Sequence, residues 1–524
     1  MLSDDPPGRA APTVQAAAGR ASGGRPNGLR TTATDYFCTI SAIDLRTLAL
    51  FRICLGLLVL ADLGIRAADL AVFHTDQGVL PRANRLAIFG RDHWLSLADI
   101  GGGSTTAAAT MFVLDGLAAT ALIAGFRARS AALVCWLFSA GLRVRMPLIV
   151  TGGDNLLTAL LLWSVFLPIG VRFSVDASRA EGRPLRADRT GAAHDAAPDI
   201  APRNLPTATA SFATFVILFQ VASLFVLSGC AKLGDTSWQR GDGVYYALSA
   251  EFYTTPLAHA LREVRGLMAP LTFAVLAFEV AAPLLLLSPW RNPLIRTAFV
   301  ATAILMNLAF WLCLRIGIFS WVTMAAVLLF LPTEAWDRRF RSSVPSVVPW
   351  RPERSHRRQV ASIALALLFV LMLAGNTRGR LRRNLPLPGF VWTIINSVGL
   401  EQRGWPMFSP TARDHGWFVV PGALANGAVV DLYEGGTAVD YQRPPLLSAD
   451  FASYRWRKFF MNLKRHGGRP RELYAEHLCR QWNGHHAAAE RVVELELVYM
   501  REVTLPDYRS APARGVSLLR HRCR

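Results

Sequence analysis

The chain has 524 residues, 52% of them hydrophobic and only 18% charged, against about a quarter charged in an average soluble protein. That balance excludes a disordered chain, a collagen-like repeat and a small disulfide scaffold, and it points to a polytopic membrane protein with a soluble part attached. The net charge of +19 does not indicate nucleic acid: only Lys232, Lys458 and Lys464 are lysines, and the arginines sit mainly in loops between apolar runs, as the positive-inside rule places them.

Residues 1–34, rich in Ala, Gly, Pro and Arg, read as a disordered cytoplasmic tail, with no apolar run that would make a signal peptide. Residues 35–376 form the transmembrane domain. Nine runs there have the length a bilayer core requires: 45–65, 105–125, 129–150, 155–171, 209–231, 268–288, 295–314, 316–332 and 359–376. Arg143 and Arg145 interrupt the third, and the fourth is short and stops at Pro168. With nine spans the arginine-rich tail and the loops at 172–206 and 333–358 share one side, which should be cytoplasmic. The C-terminus is then extracytoplasmic, although the run Arg378, Arg380, Arg382 and Arg383 falls on the side opposite to the rule.

From residue 385 to 524 the character changes to a soluble, β-rich exterior domain. GWFVVP, GAVVDLY and VVELELVYM read as strands, while ASYRWRKFFMNL and ELYAEHLCRQW carry helical spacing. The fold class is thus an all-α polytopic membrane bundle with a C-terminal α+β exterior domain. No internal repeat of the transporter kind is visible.

Polar groups inside apolar spans require a reason. Arg52 and Asp62 in the first span lie about 15 Å apart along the helix, too far to pair, so Arg52 is expected to find Asp115 or Glu279 on another helix. Lys232 ends the run FVILFQVASLFVLSGCAKL. An anchor at the membrane boundary would serve as well with arginine, whereas only lysine can lose its proton and act as a base. Trp238, Gly241, Tyr245 and Tyr246 follow in an aromatic loop suited either to an interfacial belt or to covering a lipid-soluble substrate. Gly152, Gly153, Asp154 and Asn155 open the fourth span, with Asp154 a natural helix cap.

Cys54, Cys135, Cys230 and Cys313 read as small buried hydrophobes. Cys479 and Cys523 are able to pair if the C-terminus meets an oxidising compartment. His74, His93 and His259 lie in loops, and His477, His485 and His486 are expected to be exposed. No metal-ligand spacing, phosphate loop or nucleophile elbow is present.

Taken together, these motifs resemble the horizontally transferred transmembrane (HTTM) family, whose best-understood members are the vitamin K-dependent gamma-carboxylases. The resemblance is carried by DLRTLALFRICLGLLVLAD with Asp44, Arg52, Gly56 and Asp62, by FHTDQGVLPR, by Arg145, Pro147 and GGDNLLTALLLWSVFLP, and by SGCAKLGDTSWQRGDGVYYAL. Met306-Asn307 and the Ile316-Gly317-x-Phe319 run continue it, and RGWPMFSP extends it into the exterior domain. The resemblance implies that Lys232 is the base that deprotonates a reduced vitamin K or menaquinol. Oxygen and carbon dioxide are then co-substrates and a secreted peptide is the acceptor. Arg52, Asp62, Asp154, Asn155, Trp238, Tyr245 and Asn307 are the candidate cofactor or pocket residues. Two departures bear on carboxylation more than on quinol handling. Gly153-Asp154-Asn155 stands where the carboxylases have Asn-Asn-His, and Ile304 takes the place of a histidine before Met306-Asn307.

The leading expectation is therefore an enzyme of a bacterial inner membrane, in contact with lipid, a quinone and a peptide or small substrate, without metal or nucleic acid. The alternatives are a non-catalytic membrane factor for maturation or export of a secreted peptide, and a proton-coupled transporter using Asp62, Asp115 and Glu279.

Overall fold

The computed structural model describes residues 33–90, 102–181, 207–287, 292–340, 347–348, 356–376, 387–401, 405–505 and 509–523. The run Arg378–Arg383, His93 and most of the N-terminal tail lie outside the described residues.

Among the described residues a helix lies on each of the nine apolar runs: α1 (Leu45–Ala67), α2 (Thr105–Ala124), α3 (Ala128–Arg145), α4 (Gly152–Ser164), α5 (Phe212–Leu233), α6 (Arg265–Leu287), α7 (Asn292–Cys313), α8 (Phe319–Val327) and α9 (His356–Asn376), with shorter helices in the connections. Their starts are chemically marked. Asp44 accepts the N–H of Arg46 at the head of α1, Ser104 that of Ala107 at α2, and Ser211 that of Thr214 at α5, so donors left over in the first turn are satisfied.

Six of the nine (α1, α2, α5, α6, α7 and α9) are long and apolar enough to cross a membrane, and the protein is an integral membrane protein. The other three predicted spans are shorter elements or carry charge. α3 carries Arg129, Arg143 and Arg145 in its 18 residues, and α4 has 13. At 1.5 Å per residue, 13 residues reach about 20 Å, less than the roughly 30 Å of hydrocarbon. α8 has 9 residues before the 3-10 turn Leu328–Phe330. Short does not mean peripheral: from Gly153 to Ser164 every residue of α4 except Asn155 is buried, as expected of a helix apolar on all sides. α1 and α5 bury 50% and 67% of their apolar windows, whereas α2, α6, α7 and α9 bury 17% to 28%. Leu114, Leu117, Leu284, Leu305, Ile363 and Leu367 are exposed on the latter group, which leaves them facing lipid.

The connections collect at two ends. At one, Ile43–Asp44 pairs with Ala208–Thr209, which pairs in turn with Val347–Val348, and Asp176 accepts the N–H groups of Arg127 and Ala128. At the other, Phe73, Leu80, Leu148, Ile149 and Phe252 share a hydrophobic core with the C-terminal part.

That C-terminal part is a five-stranded sheet: β1 (Asp414–Val419), β2 (Pro421–Leu424), β3 (Val429–Asp431), β4 (Val492–Val503) and β5 (Arg514–Arg522), with β4 pairing antiparallel to β1, β2 and β5. α10 (Tyr454–Arg465) and α11 (Arg469–Asn483) are inserted between β3 and β4, on the segments with helical spacing. Ile395, Val398, Leu400 and Trp405, ahead of the sheet, are buried in the main core of the bundle. Cys479 and Cys523 form a disulfide across 44 residues. Two expectations are corrected. Cys230 is exposed rather than a buried hydrophobe, since a thiol on a lipid-facing position incurs no penalty. His477 is buried on the inner side of α11 rather than exposed.

Candidate functional site

α5 packs closely against α6 at Gly229. A Cβ built there would lie 3.2 Å from the backbone carbonyl carbon of Glu279 and 3.3 Å from its Cβ, so the missing side chain is what lets the two helices meet. One turn further along α5, Lys232 faces Glu279 across this contact. Its Nζ donates to Glu279 Oε2 at 2.7 Å, to Oε1 at 2.9 Å and to Ser228 Oγ at 2.6 Å. The ammonium also lies 4.9 Å from the ring centre of Trp238. Lys232 is only 2% exposed, far from the solvated head of a snorkelling anchor.

The pair borders a cavity of about 320 Å³, near the lower end of the range in which small ligands bind. Lys232 and Glu279 are the charged residues among those lining it; the remaining wall is apolar apart from Trp238 and Thr302, with Phe278, Met306 and Phe310 prominent. Met407 and Phe408 complete it from the segment leading into the sheet. That segment is tied down over the end of α5: Trp238 Nε1 donates to Phe408 O at 2.9 Å, Ser409 Oγ to Ala231 O at 2.9 Å, and Thr411 N to Asp235 Oδ2 at 3.0 Å. The arrangement offers a flat aromatic face, one hydrogen-bonding pole with an exchangeable proton, and apolar walls.

The other predicted site residues fall elsewhere. Tyr245 is buried behind this wall, beside Tyr246, while its neighbours Val244 and Ala247 line the cavity. Asn307 follows Met306 on α7 but donates back to Ala303 O at 2.8 Å. Arg52 meets neither Asp115 nor Glu279. It donates to the carbonyls of Leu122 and Ile123 at 2.6 and 2.8 Å and to Phe173 O. The last carbonyls of α2 have no partner within their own helix and carry the negative end of its dipole, so they hold a cation as a carboxylate would.

Asp62 and Asp154 form a second cluster at the end of the bundle that meets the sheet domain. Arg66 donates to Asp62 Oδ2 and to Asp154 Oδ1, both at 2.7 Å. Arg455, from α10, donates to Asp154 Oδ1 at 3.0 Å and pairs with Asp62. Tyr454 donates to Asp62 Oδ1 at 3.2 Å. Asp154 also caps α4, accepting from Thr151 N and Oγ at 2.7 Å. Asn155 accepts from Arg143 Nε at 3.0 Å. Burial disfavours charge on Arg455, but Asp154 and Asp62 outweigh it and hold the guanidinium protonated beyond the usual arginine range. Nearby His74 is buried, and burial together with Arg66, Arg145 and Arg455 pushes it well below the ordinary histidine value, so it is neutral. Two carboxylates balanced by two guanidinium groups make a clamp between the bundle and the sheet domain.

No spacing marks Glu279 as the partner of Lys232, 47 residues away. Met407 and Phe408 lie within RGWPMFSP, where a signal existed, but Arg455 carried none. Among the described residues no group of three or more His, Cys, Asp or Glu is placed to hold a metal ion.

No curated protein and no solved structure matches the chain. Residues 194–336 match the family model of the HTTM domain, a stretch that includes Lys232, Trp238, Tyr245, Glu279 and Asn307 and leaves Arg52, Asp62, Asp154, Asn155 and the sheet outside it.

Proposed function

We propose that the chain is a membrane enzyme acting on a lipid-soluble quinol in the cavity beside Lys232, and that it uses the resulting reactivity to modify a peptide or small substrate reached from the exterior side. The observation that carries this is the Lys232–Glu279 pair set in the wall of an apolar cavity within the HTTM match. The donor set suits a planar phenolic ring: Trp238 offers a face, and Lys232 with Glu279 offers a single polar pole for a ring hydroxyl. A bound quinol would supply, with oxygen, a base strong enough to remove a proton from carbon, as the family association with gamma-carboxylases implies.

The residues have definable parts in this. Lys232 Nζ can accept a phenolic proton only after passing one of its own on, and Glu279, 2.7–2.9 Å away, is the adjacent acceptor. Ser228 holds the amine during that exchange. The apolar wall and the strap at Met407 and Phe408 keep out water, which would otherwise quench strong bases. Purified protein in lipid with menaquinol, oxygen and bicarbonate should convert the quinol to an epoxide readable by mass spectrometry. Lys232→Ala should form none, and Glu279→Gln should slow turnover by at least about a hundredfold. Full activity in Lys232→Arg would remove Lys232 as the base.

A second reading, a non-catalytic factor for maturation or export of a secreted peptide, is favoured by one observation. All three ammonium protons of Lys232 have acceptors within the protein, as in a structural ion pair. No epoxide from wild type, with peptide maturation retained in Lys232→Ala, would select it.

We also propose nine passes with the sheet domain extracytoplasmic. The connections after α1, α3 and α5 all pack on that domain, and Arg315, after α7, donates to Ser448 O. The connections before α1, α5 and α9 share the small sheet at the opposite end.

A further inference from the structure

A second cavity, of about 310 Å³, lies toward the other end of α5 and shares no lining residue with the first. Its walls come from Phe215, Phe219 and Leu227 of α5, Pro283 and Leu286 of α6, and Phe330. No charged side chain lines it, and its polar groups are Ser223 and Asn376. Ser223 stands halfway along α5, so this pole is near the middle of the span, where a charged headgroup has no counter-ion and little water. Asn376, the last residue of α9, is buried, and its Oδ1 has no hydrogen-bond partner among the described residues. Its Nδ2 lies 3.5 Å from Ser223 Oγ, which itself donates to Gln220 O at 2.8 Å.

We propose that this cavity binds an uncharged lipid alcohol, its chain along the aromatic wall and its hydroxyl at Asn376. An amide and a hydroxyl are complementary: the hydroxyl can donate to Oδ1 and accept from Nδ2, which satisfies the buried carbonyl that the fold leaves open. A phospholipid headgroup does not suit a site without a cation at this depth. A quinone, which cannot donate, leaves Oδ1 unanswered. The inference stands on a different cavity from that of Lys232 and does not depend on its role.

The test uses the full chain in phosphatidylcholine nanodiscs with a diazirine-bearing long-chain isoprenoid alcohol, and maps the labelled peptides. Labelling should concentrate on α5 between Phe215 and Leu227 and on the end of α9. Ala222→Trp, which fills the cavity, should reduce it at least about tenfold. The methyl ether of the same chain should compete about fivefold less well than the alcohol, the worth of one ordinary hydrogen bond, and Asn376→Leu should abolish that difference. The Asn376→Leu comparison decides the matter even if the Trp variant fails to fold. Labelling spread evenly over lipid-facing helices, equal competition by the ether or by menaquinone, or labelling confined to the Lys232 cavity would each overturn the proposal.

Discussion

Lys232 and Glu279 are each other's main electrostatic environment. Removing one partner of a buried pair leaves an uncompensated charge in apolar surroundings and costs about 3–5 kcal/mol, whereas replacing both by apolar groups of similar size is often close to neutral. Glu279→Gln is therefore expected to lower the unfolding temperature markedly in detergent or nanodiscs. The double variant Lys232→Met with Glu279→Leu should recover most of the loss while remaining inactive. A double variant no better than the single would mean that the pair is not coupled. A second residue-scale effect belongs to the C-terminal sheet domain. Burial, with Glu434 and Asp431 nearby, pushes Asp450 up to about 6. Its folded value lies above its unfolded one, so stability is lost as pH rises from about 4 to about 6 and stays lost above that. Asp450→Asn should flatten that decline and raise stability at pH 7 by about 1–2 kcal/mol, allowing for partial exposure; a pH series of chemical melts reads it. These residues also mark what was legible beforehand. Lys232 stood out because the chain uses arginine almost everywhere else. The partner of Arg52 was misjudged because backbone carbonyls at a helix end are invisible to an argument that pairs side-chain charges.

At the scale of elements, a helix lies on each of the nine apolar runs, and the short apolar runs mark three of the five strands of the C-terminal sheet, β1, β3 and β4, but neither β2 nor β5. Length was the weaker guide: α4 has only 13 residues because its apolar surface is covered by protein rather than lipid, and a run buried in protein need not match the bilayer. What the pattern could not show is how α10 reaches back into the bundle. Arg455 is fully buried on a helix whose charged composition reads as solvated. It joins Asp62 of α1 to Asp154 of α4 and also lies 3.5 Å from Ile149 O. Arg455→Met would leave two buried carboxylates sharing Arg66, a loss of about 3–5 kcal/mol. Hydrogen exchange should then accelerate in α10 and at the start of α4 before the rest of the sheet. Arg455→Lys should recover only part of this, since a point charge cannot span both carboxylates in a fork. Unchanged exchange in α10 would mean that the apolar contacts alone hold the domain in place.

For the whole molecule, the decisive question is whether the three short helices count as passes. The bundle's two ends are distinguished by their contacts, since connections two or four apart in sequence order meet the same partners: the sheet domain at one end, the two-residue strands at the other. Nine passes then place residue 345 with the N-terminus and residue 524 on the opposite side. If only the six long helices crossed, five crossings would precede residue 345 and six would precede the C-terminus, so both positions would exchange sides. Fusions of alkaline phosphatase and of a fluorescent protein at these two positions separate the cases without any assumption about activity. The expected result is fluorescence at 345 and phosphatase activity at the C-terminus. The disulfide between Cys479 and Cys523 supplies an internal control, because such bonds persist in oxidising compartments and are rare in the cytosol. In intact cells a thiol-directed polyethylene glycol should add to these two cysteines only after reduction. Ready addition without reductant, together with fluorescence at the C-terminus, would put the sheet domain in the cytoplasm. Any peptide substrate would then have to be met before export, not after it.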